Sequence, residues 1–224
     1  MQSITPAFSH ILLVFLKEPI QGTVKTRLAK SIGSAEATRY YKAMVATLLH
    51  GVQLQATYHI RFCYAPSSAT EHIKQWIDPL MKSDVSYDYQ AQPLGDLGDR
   101  LEYATRHAFK EGFERVTLIG ADAPSITSET LSSIGREVDM TIGPTYDGGY
   151  YLLSLQKFSP SLFQGIPWSS SLTCDATIQA AEKYGFTYKS LPKIYDIDEL
   201  QDLDYVLTLT EVGTRLKSNY EALL

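Results

Sequence analysis

The sequence is poor in cysteine and tryptophan, with two residues of each type among 224. Cys63 and Cys174 lack the close spacing of a metal-binding knuckle, and two cysteines are too few for a disulfide scaffold. Cys63 lies within an apolar strand pattern, so we expect it to be a small buried residue.

Long apolar runs and an excess of basic charge are also missing. No run approaches the roughly 20 residues that span a bilayer, so we expect no membrane span. The first ten residues lack a basic segment ahead of an apolar one, and a signal peptide is therefore not expected. The net charge of −5 argues against a surface for nucleic acid. These absences favour a cytoplasmic enzyme that acts on small molecules.

The composition predicts a folded α/β protein. Hydrophobic residues make up 44% and charged residues 20% of a chain long enough for one sizeable core. No repeat, low-complexity segment or linker divides residues 1–224, so we expect a single domain. The apolar runs Ile11–Leu16 and Val116–Ile119 predict buried parallel strands, and Ala35–Leu54 has helical periodicity.

A carboxylate follows the second of these strands. Gly120 lets the backbone turn, Asp122 comes next, and Pro124 ends the extended segment. In an open α/β sheet, ligands bind at the carboxyl ends of the strands, where a carboxylate can hold a divalent cation beside a phosphate. A turn or N-cap role for Asp122 is the alternative.

A basic loop follows the first strand. It contains Lys17, Gly22, Lys25 and Arg27, and it leaves the same sheet edge as Asp122 if both strands are parallel. Lysine and arginine there can converge on the phosphates of a nucleotide. The loop is not a Walker A motif. A solvated basic turn is the alternative.

A second glycine-containing loop runs into a helix. It includes Gly95, Asp96, Asp99 and Arg100, and a helix start beneath such a loop can bind an anion or a base edge. Arg100 lies in the first turn, where a cation opposes the helix dipole, and this hints at a ligand. Arg100 could equally pair with Asp96 or Asp99.

Asp147 is followed by two glycines. On its own this pattern indicates a hairpin turn. Alternatively, Gly148 and Gly149 let a substrate approach the backbone, while Asp147 binds a hydroxyl or acts as a base. Tyr150 and Tyr151 alternate faces in a following strand, so one of them can line a site.

Two further features precede predicted helices. Trp168 lies in a loop before the helix Thr173–Tyr184, where it can stack on a sugar ring or pack under that helix. Asp196 and Asp198 come directly before a C-terminal helix. Asp198 can be a plain N-cap, or it can be the second ligand of a cation held by Asp122.

Taken together and in sequence order, the loops and strand ends described above resemble the DUF2064 group of small bacterial glycosyltransferase-like proteins. This group includes arsenosugar-biosynthesis glycosyltransferases. The resemblance implies the GT-A fold of the nucleotide-diphospho-sugar transferase superfamily: a Rossmann-like, three-layer α/β/α architecture with a mostly parallel central sheet. It covers the chain from about Ile11 to about Leu207. The segments that carry it are Lys17–Leu28, Gly95–Arg100, Gly120–Pro124, Gly143–Tyr151, Pro167–Ser169 and Asp196–Leu203.

The resemblance implies a transferase acting on a nucleotide sugar or an NTP. In the first hypothesis, a sugar passes from a nucleoside-diphosphate sugar to an unknown small-molecule acceptor. Asp122 and Asp198 bind Mg²⁺ or Mn²⁺, and Asp147 orients or deprotonates the acceptor. The nucleotide contacts Lys17, Gly22, Lys25, Arg27, Gly95, Asp96 and Arg100, and the substrate contacts Gly148, Gly149, Tyr150 and Trp168.

The alternative is a nucleotidyltransferase that joins an NTP to a sugar phosphate or phospho-acid and releases pyrophosphate. The usual glycosyltransferase Asp-x-Asp is not intact, because Ala123 and Pro124 follow Asp122 and residue 120 is Gly. An Asp-x-Pro pattern and a basic loop resemble nucleotidyltransferases as well. A non-enzymatic nucleotide-binding protein is the third hypothesis. The sequence gives no sign of the oligomeric state.

Overall fold

The computed structural model describes residues 8–54 and 56–224. Residues 1–7, on which the expectation about a signal peptide partly rests, lie outside this part. The strands are β1 (His10–Lys17), β2 (His59–Ala65), β3 (Tyr87–Ala91), β4 (Arg115–Gly120), β5 (Met140–Pro144), β6 (Tyr150–Leu155) and β7 (Tyr188–Ser190). The helices are α1 (Thr26–Ile32), α2 (Ser34–Gln53), α3 (Thr70–Ile77), α4 (Leu97–Lys110), α5 (Ser128–Ser132), α6 (Thr173–Lys183), α7 (Leu200–Thr208) and α8 (Thr210–Glu221).

The strands form one mostly parallel sheet in the order β3-β2-β1-β4-β6-β5-β7. Strand β6 is antiparallel to both of its neighbours, β4 and β5, and the other pairs are parallel. Because β5 therefore runs in the direction of β1 and β4, the β5–β6 turn lies at the carboxyl edge of these strands. The predicted α/β fold with a mostly parallel central sheet is confirmed.

Strand β1 is buried on both faces, which explains its continuous apolar run. Leu12 and Val14 pack in the cluster that contains the apolar side of α2. Ile11 and Leu13 belong to a second cluster, together with residues of α4 and α6. Helices thus cover both faces of the sheet. Cys63 is buried and free, as predicted.

The C-terminal helices return to the beginning of the chain. Leu203 and Val206 of α7 and Leu216 of α8 pack with Leu28 of α1 and Met44 of α2. This cluster holds the segment before α7 close to the loop after β1. Among the helices that the structure describes, none combines the length and apolar character needed to cross a membrane.

A network of charged side chains links β2 to the edge strand β3. Arg61 of β2 is buried, and it donates two 2.7 Å hydrogen bonds to Asp88 of β3 and one of 3.0 Å to Glu111. His59 Nε2 lies 3.2 Å from Asp88. Burial disfavours the charged form of Asp88, but the hydrogen bonds and charges of Arg61 and His59 prevail and lower its pKa to about 2.

The Asp88→Asn variant is expected to be less stable than the wild type at pH 7. A carboxylate with a lowered folded-state pKa contributes stability above its ordinary pKa of 3.8 and loses it as the pH falls towards 2. The difference between variant and wild type should therefore shrink between about pH 4 and pH 2. Urea unfolding at pH 7 and pH 3 measures both effects. The exposed Asp84→Asn is the control, and an equal deficit at both pH values would contradict the prediction.

Candidate functional site

A cavity of about 1000 Å³ opens at the carboxyl edge of β1 and β4. It is lined by the loop after β1, the start of α4, the end of β4, the β5–β6 turn and the segment before α7. The structure brings most of the predicted site residues together there. They are Lys17, Lys25, Arg27, Gly95, Asp96, Arg100, Asp122, Asp147, Gly149, Tyr150, Trp168 and Asp198.

Two predicted glycines do not line the cavity. Gly22 lies in the turn before α1 with a φ of 84°. Gly148 has a φ of 91°, and an added Cβ would lie 2.1 Å from the carbonyl oxygen of Ser171. The amide of Cys174 donates to the carbonyl of Gly148 at 2.9 Å. Gly148 therefore allows the β5–β6 turn to pack against the segment leading into α6, and that backbone occupies the space next to it.

Lys25 lies at the centre of the charged half of the cavity. It adopts a left-handed conformation just before α1, with φ and ψ of 47°, and its side chain is only 6% exposed. The Nζ atom lies 2.9 Å from Asp198 Oδ1 and 3.4 Å from Asp122 Oδ2. Burial opposes the charge, but Asp122 and Asp198 raise the pKa of Lys25, so the ammonium is retained. The cation between these two carboxylates in this structure is Lys25 itself.

Asp198 is held by two basic side chains. Arg27 contacts the carboxylate oxygen that Lys25 does not. Burial raises the pKa of Asp198, but the charges of Lys25 and Arg27 outweigh it and the net shift is downward. The N-cap of α7 is Glu199, which forms a capping box with Asp202. Asp198 is therefore not the N-cap of this helix, and its side chain points towards the basic loop.

Three carboxylates meet beside this ion pair. Asp147, Asp196 and Asp198 each offer an oxygen, and these oxygens lie within 4.8 Å of one another. Burial raises the pKa of Asp196 to about 7, and the negative charges of Asp122, Asp147 and Asp198 act in the same direction. All three possible ligands are carboxyl oxygens, the atoms that hard divalent cations such as Mg²⁺ and Mn²⁺ prefer.

Asp147 is fixed in position by hydrogen bonds within its own turn. It lies in the hairpin turn between β5 and β6 and also lines the cavity. Its Oδ1 atom accepts hydrogen bonds from Thr145 Oγ1 at 2.5 Å and from the Gly149 amide at 3.0 Å. The turn therefore fixes the carboxylate, and its Oδ2 atom has no hydrogen-bond partner in the described part of the chain.

Arg100 lies in the first turn of α4, close to Asp96 and Asp99. Asp96 and Asp99 satisfy each other's backbone amides in a capping box, so neither pairs with Arg100. Arg100 Nε instead donates to the Gly95 carbonyl at 3.1 Å, and one of its terminal nitrogens donates to Gln92 Oε1 at 3.4 Å. Among the described residues, no carboxylate forms an ion pair with Arg100, so its charge is available to an anion.

Aromatic side chains form the other wall. Trp168 packs edge-to-face on Tyr150, with ring centroids 6.5 Å apart. Gly98 of α4 makes room for the indole, because an added Cβ there would lie 2.3 Å from Trp168 Nε1. Trp168 therefore packs against a helix, although that helix is α4, and it also lines the cavity. Tyr151 contributes to the cavity too, and its hydroxyl donates to the Pro192 carbonyl at 3.2 Å.

Residues 48–170 match DUF2064, a family described as an uncharacterized protein conserved in bacteria. The chain belongs to the DUF2064 family. No curated protein matches the sequence.

Solved structures share the fold of this DUF2064 chain. A protein from Desulfovibrio desulfuricans G20, provisionally named a nucleotide-diphospho-sugar transferase, is 29% identical with a TM-score of 0.83, over 96% of each chain. The T. maritima inositol-1-phosphate CTP transferase is 12% identical with a TM-score of 0.50, over 97% of this chain and 98% of that one. A 4-diphosphocytidyl-2C-methyl-D-erythritol synthase from Anaerococcus prevotii DSM 20548 is 11% identical with a TM-score of 0.56, over 88% and 96%. The last two similarities concern the fold alone.

Asp196 and Gln92 are among the residues of the DUF2064 cavity that sequence reasoning did not assign. From the sequence, Asp196 was interpreted only as a second carboxylate before the C-terminal helix, although Asp196 and Asp198 form an Asp-x-Asp pattern around Ile197. Ile197 is buried and its amide donates to the Asp122 carbonyl at 2.9 Å. Gln92, which orients Arg100, donates to the Cys63 carbonyl at 2.7 Å. The Asp-x-Asp spacing could have identified Asp196, but no local signal marks Gln92.

Proposed function

We propose that this DUF2064 protein is a glycosyltransferase-like enzyme that transfers a sugar from a nucleoside-diphosphate sugar to a small-molecule acceptor. One observation carries the proposal: a basic loop and a group of carboxylates share one cavity at the carboxyl edge of a nucleotide-diphospho-sugar transferase fold. Ligands of open α/β sheets bind at this edge. A volume of about 1000 Å³ also suits a ligand as large as a nucleotide sugar.

The basic residues would hold the diphosphate. Lys17 and Arg100 form no ion pair with a described carboxylate, so both could bind phosphate oxygens without breaking a salt bridge; Arg100 donates only to the Gly95 carbonyl and to Gln92. Lys25 and Arg27 already lie against Asp198, and their charges would stabilise the negative charge that develops on the leaving diphosphate.

The carboxylates would hold the metal. Asp122 and Asp198, which hold the Lys25 ammonium between them, are the proposed ligands of Mg²⁺ or Mn²⁺, and Asp196 lies beside Asp198. A bound divalent cation supplies Lewis-acid stabilisation of the diphosphate oxygens. Asp147, fixed by its turn, would orient or deprotonate the acceptor hydroxyl through Oδ2.

Nucleotidyl transfer is the second candidate. It is favoured by the single aspartate after β4, where Ala123 and Pro124 replace the second half of an Asp-x-Asp. The basic loop after β1 also resembles the loop with which nucleotidyltransferases hold a triphosphate. In that case the same cavity would bind an NTP and a sugar phosphate or phospho-acid, and pyrophosphate would be the product.

A thermal-shift screen tests the proposal. Nucleoside-diphosphate sugars, NDPs and NTPs are added with and without Mn²⁺, and a ligand that binds only the folded state raises the melting temperature. At 100 times Kd the gain is about 2.7 kcal/mol, or several degrees for a chain of this length. We expect a nucleoside-diphosphate sugar with Mn²⁺ to give the largest shift.

Product analysis then separates the candidates. Release of NDP from the nucleotide sugar supports glycosyl transfer, whereas pyrophosphate release from an NTP with a phosphorylated acceptor supports nucleotidyl transfer. Binding without turnover would indicate a nucleotide-binding protein, and no shift with any nucleotide would reject all three.

A further inference from the structure

A side chain of the protein lies where the divalent cation is proposed to bind. The Lys25 ammonium is 2.9 Å from Asp198 Oδ1 and 3.4 Å from Asp122 Oδ2, and only 6% of the Lys25 side chain is exposed. Mg²⁺ binds carboxylate oxygens at about 2.1 Å. A divalent cation that used both of these oxygens would therefore lie close to the ammonium nitrogen and be repelled by its charge. Lys25 and the metal compete for the same two carboxylates.

The two carboxylates do not depend on Lys25 for their positions. Arg27 contacts the other oxygen of Asp198, Oδ2. The backbone carbonyl of Asp122 accepts a 2.9 Å hydrogen bond from the amide of Ile197, so the end of β4 is tied to the segment before α7. Asp122 and Asp198 therefore stay close together when the ammonium leaves.

Lys25 can leave by rotation of its own side chain. It lines a cavity of about 1000 Å³, and its aliphatic stem is flexible. The loop does not have to unfold, because the adjacent Val24 is buried and the Lys25 carbonyl accepts the first hydrogen bond of α1 from the Ala29 amide. In the described part of the chain, Lys25 and Ser169 are the non-glycine residues with positive φ, and both line the cavity. Strained backbone of this kind is concentrated at ligand sites and switches.

The exchange of lysine for metal requires an anion that accompanies the metal. A divalent cation alone would separate the displaced ammonium from both of its carboxylates, which is unfavourable for a group with so little exposure. A diphosphate that enters with the metal offers phosphate oxygens to that ammonium. Metal and diphosphate are then coupled through one side chain, and by linkage each strengthens the binding of the other.

We infer that Lys25 is an internal counter-cation. It occupies the metal position until a metal–diphosphate ligand enters, and it then moves from Asp122 and Asp198 to the phosphates. The inference rests on the proposed function, because that function supplies the diphosphate. The metal is then a partner of the diphosphate rather than a resident ion of the protein, and Arg27 keeps its contact with Asp198 throughout.

The test is binding of Mn²⁺ to the full chain without any nucleotide, by equilibrium dialysis and thermal unfolding. Lys25→Met removes the competing ammonium, so we expect it to bind Mn²⁺ at least about tenfold more tightly than the wild type. Mn²⁺ should also raise the melting temperature of this variant more than that of the wild type. Lys30→Met is the matched control, because Lys30 is an exposed lysine on α1 that does not line the cavity, and it should behave like the wild type.

Two further variants guard against a result that reflects folding alone. Lys25→Arg retains the charge, so it should fold and bind Mn²⁺ as weakly as the wild type. Lys25→Met combined with Asp122→Asn should lose the gain in affinity, because one of the two carboxylates is gone. Inorganic pyrophosphate is the base-independent diphosphate probe. It should tighten Mn²⁺ binding by the wild type about fivefold or more, and it should do so less in Lys25→Met.

Three results would overturn the inference. They are equal Mn²⁺ affinity of Lys25→Met and the wild type, a gain that persists in the double variant, or wild-type affinity that is the same with and without pyrophosphate. Nucleotide thermal shifts are recorded on the same samples. If nucleotides bind with Mn²⁺ but Lys25→Met gains nothing, the role of Lys25 alone is wrong. If Lys25→Met gains affinity but no nucleotide binds, the proposed function fails and the competition between Lys25 and the metal stands.

Discussion

The Asp122→Asn variant will lose sugar transfer and the metal-dependent stabilisation by nucleotides. The amide keeps the size of the side chain but removes the charge that would bind the cation. We expect kcat/KM to fall about 100-fold or more, as when one preorganised electrostatic group is removed from a site. The fold should survive, because the Ile197 amide bonds to the backbone carbonyl of residue 122 and Lys25 keeps Asp198 as a partner.

Transfer from the nucleotide sugar identified in the screen and thermal shifts with and without Mn²⁺ measure this loss. Asp175→Asn is the matched control, because Asp175 is an exposed carboxylate on α6 that does not line the cavity. Urea unfolding of both variants checks their stability. Full transfer and an unchanged Mn²⁺-dependent shift in Asp122→Asn would remove the basis for placing the reaction here.

The Lys25→Met variant will be strongly destabilised. Methionine retains most of the side-chain length, but it leaves Asp122 and Asp198 without the buried ammonium. Removing one partner of a buried ion pair costs about 3–5 kcal/mol. Because the side chain of Asp122 is 40% exposed, we expect the lower end of that range. For a chain of this length, about 3 kcal/mol corresponds to a fall of roughly 6–12 °C in melting temperature.

Arg27→Gln provides the comparison for Lys25. Arg27 contacts the same carboxylate of Asp198, but its side chain is 53% exposed. Solvent-exposed ion pairs contribute about 0–1 kcal/mol, so this variant should remain near wild-type stability. Urea unfolding of both variants at neutral pH gives the two values. Equal losses would mean that burial of Lys25 does not determine the strength of its contacts.

The sequence predicted the fold well where burial dictates the residue pattern. The apolar run at Ile11–Leu16 lies within β1, and the helix expected at Ala35–Leu54 is α2 within one residue at each end. The single C-terminal helix expected from the sequence is two helices, α7 and α8, which meet at Leu209. Helix α1 and strand β7 were not predicted. Helix α1 has seven residues with only Leu28 buried, and β7 has three exposed residues, so neither shows a periodic pattern.

The sequence predicted most of the candidate side chains that line the cavity, but it did not predict which of them form ion pairs. In the sequence, polar residues directly follow the apolar run of each strand, and parallel strands bring their carboxyl ends to one edge of the sheet. Which charged side chains form ion pairs depends on how α7 and α8 pack on α1 and α2. No local sequence pattern predicts that packing. The sequence therefore indicated Lys25 as a phosphate ligand, whereas the structure shows it buried between Asp122 and Asp198.

The contact between Lys25 and Asp198 joins the loop after the first strand to the segment after the last one. Asp198 follows Lys25 by 173 residues, so a growing chain already contains all seven strands of the sheet before this wall of the pocket is made. Only when the final helices dock does the lysine gain its second carboxylate.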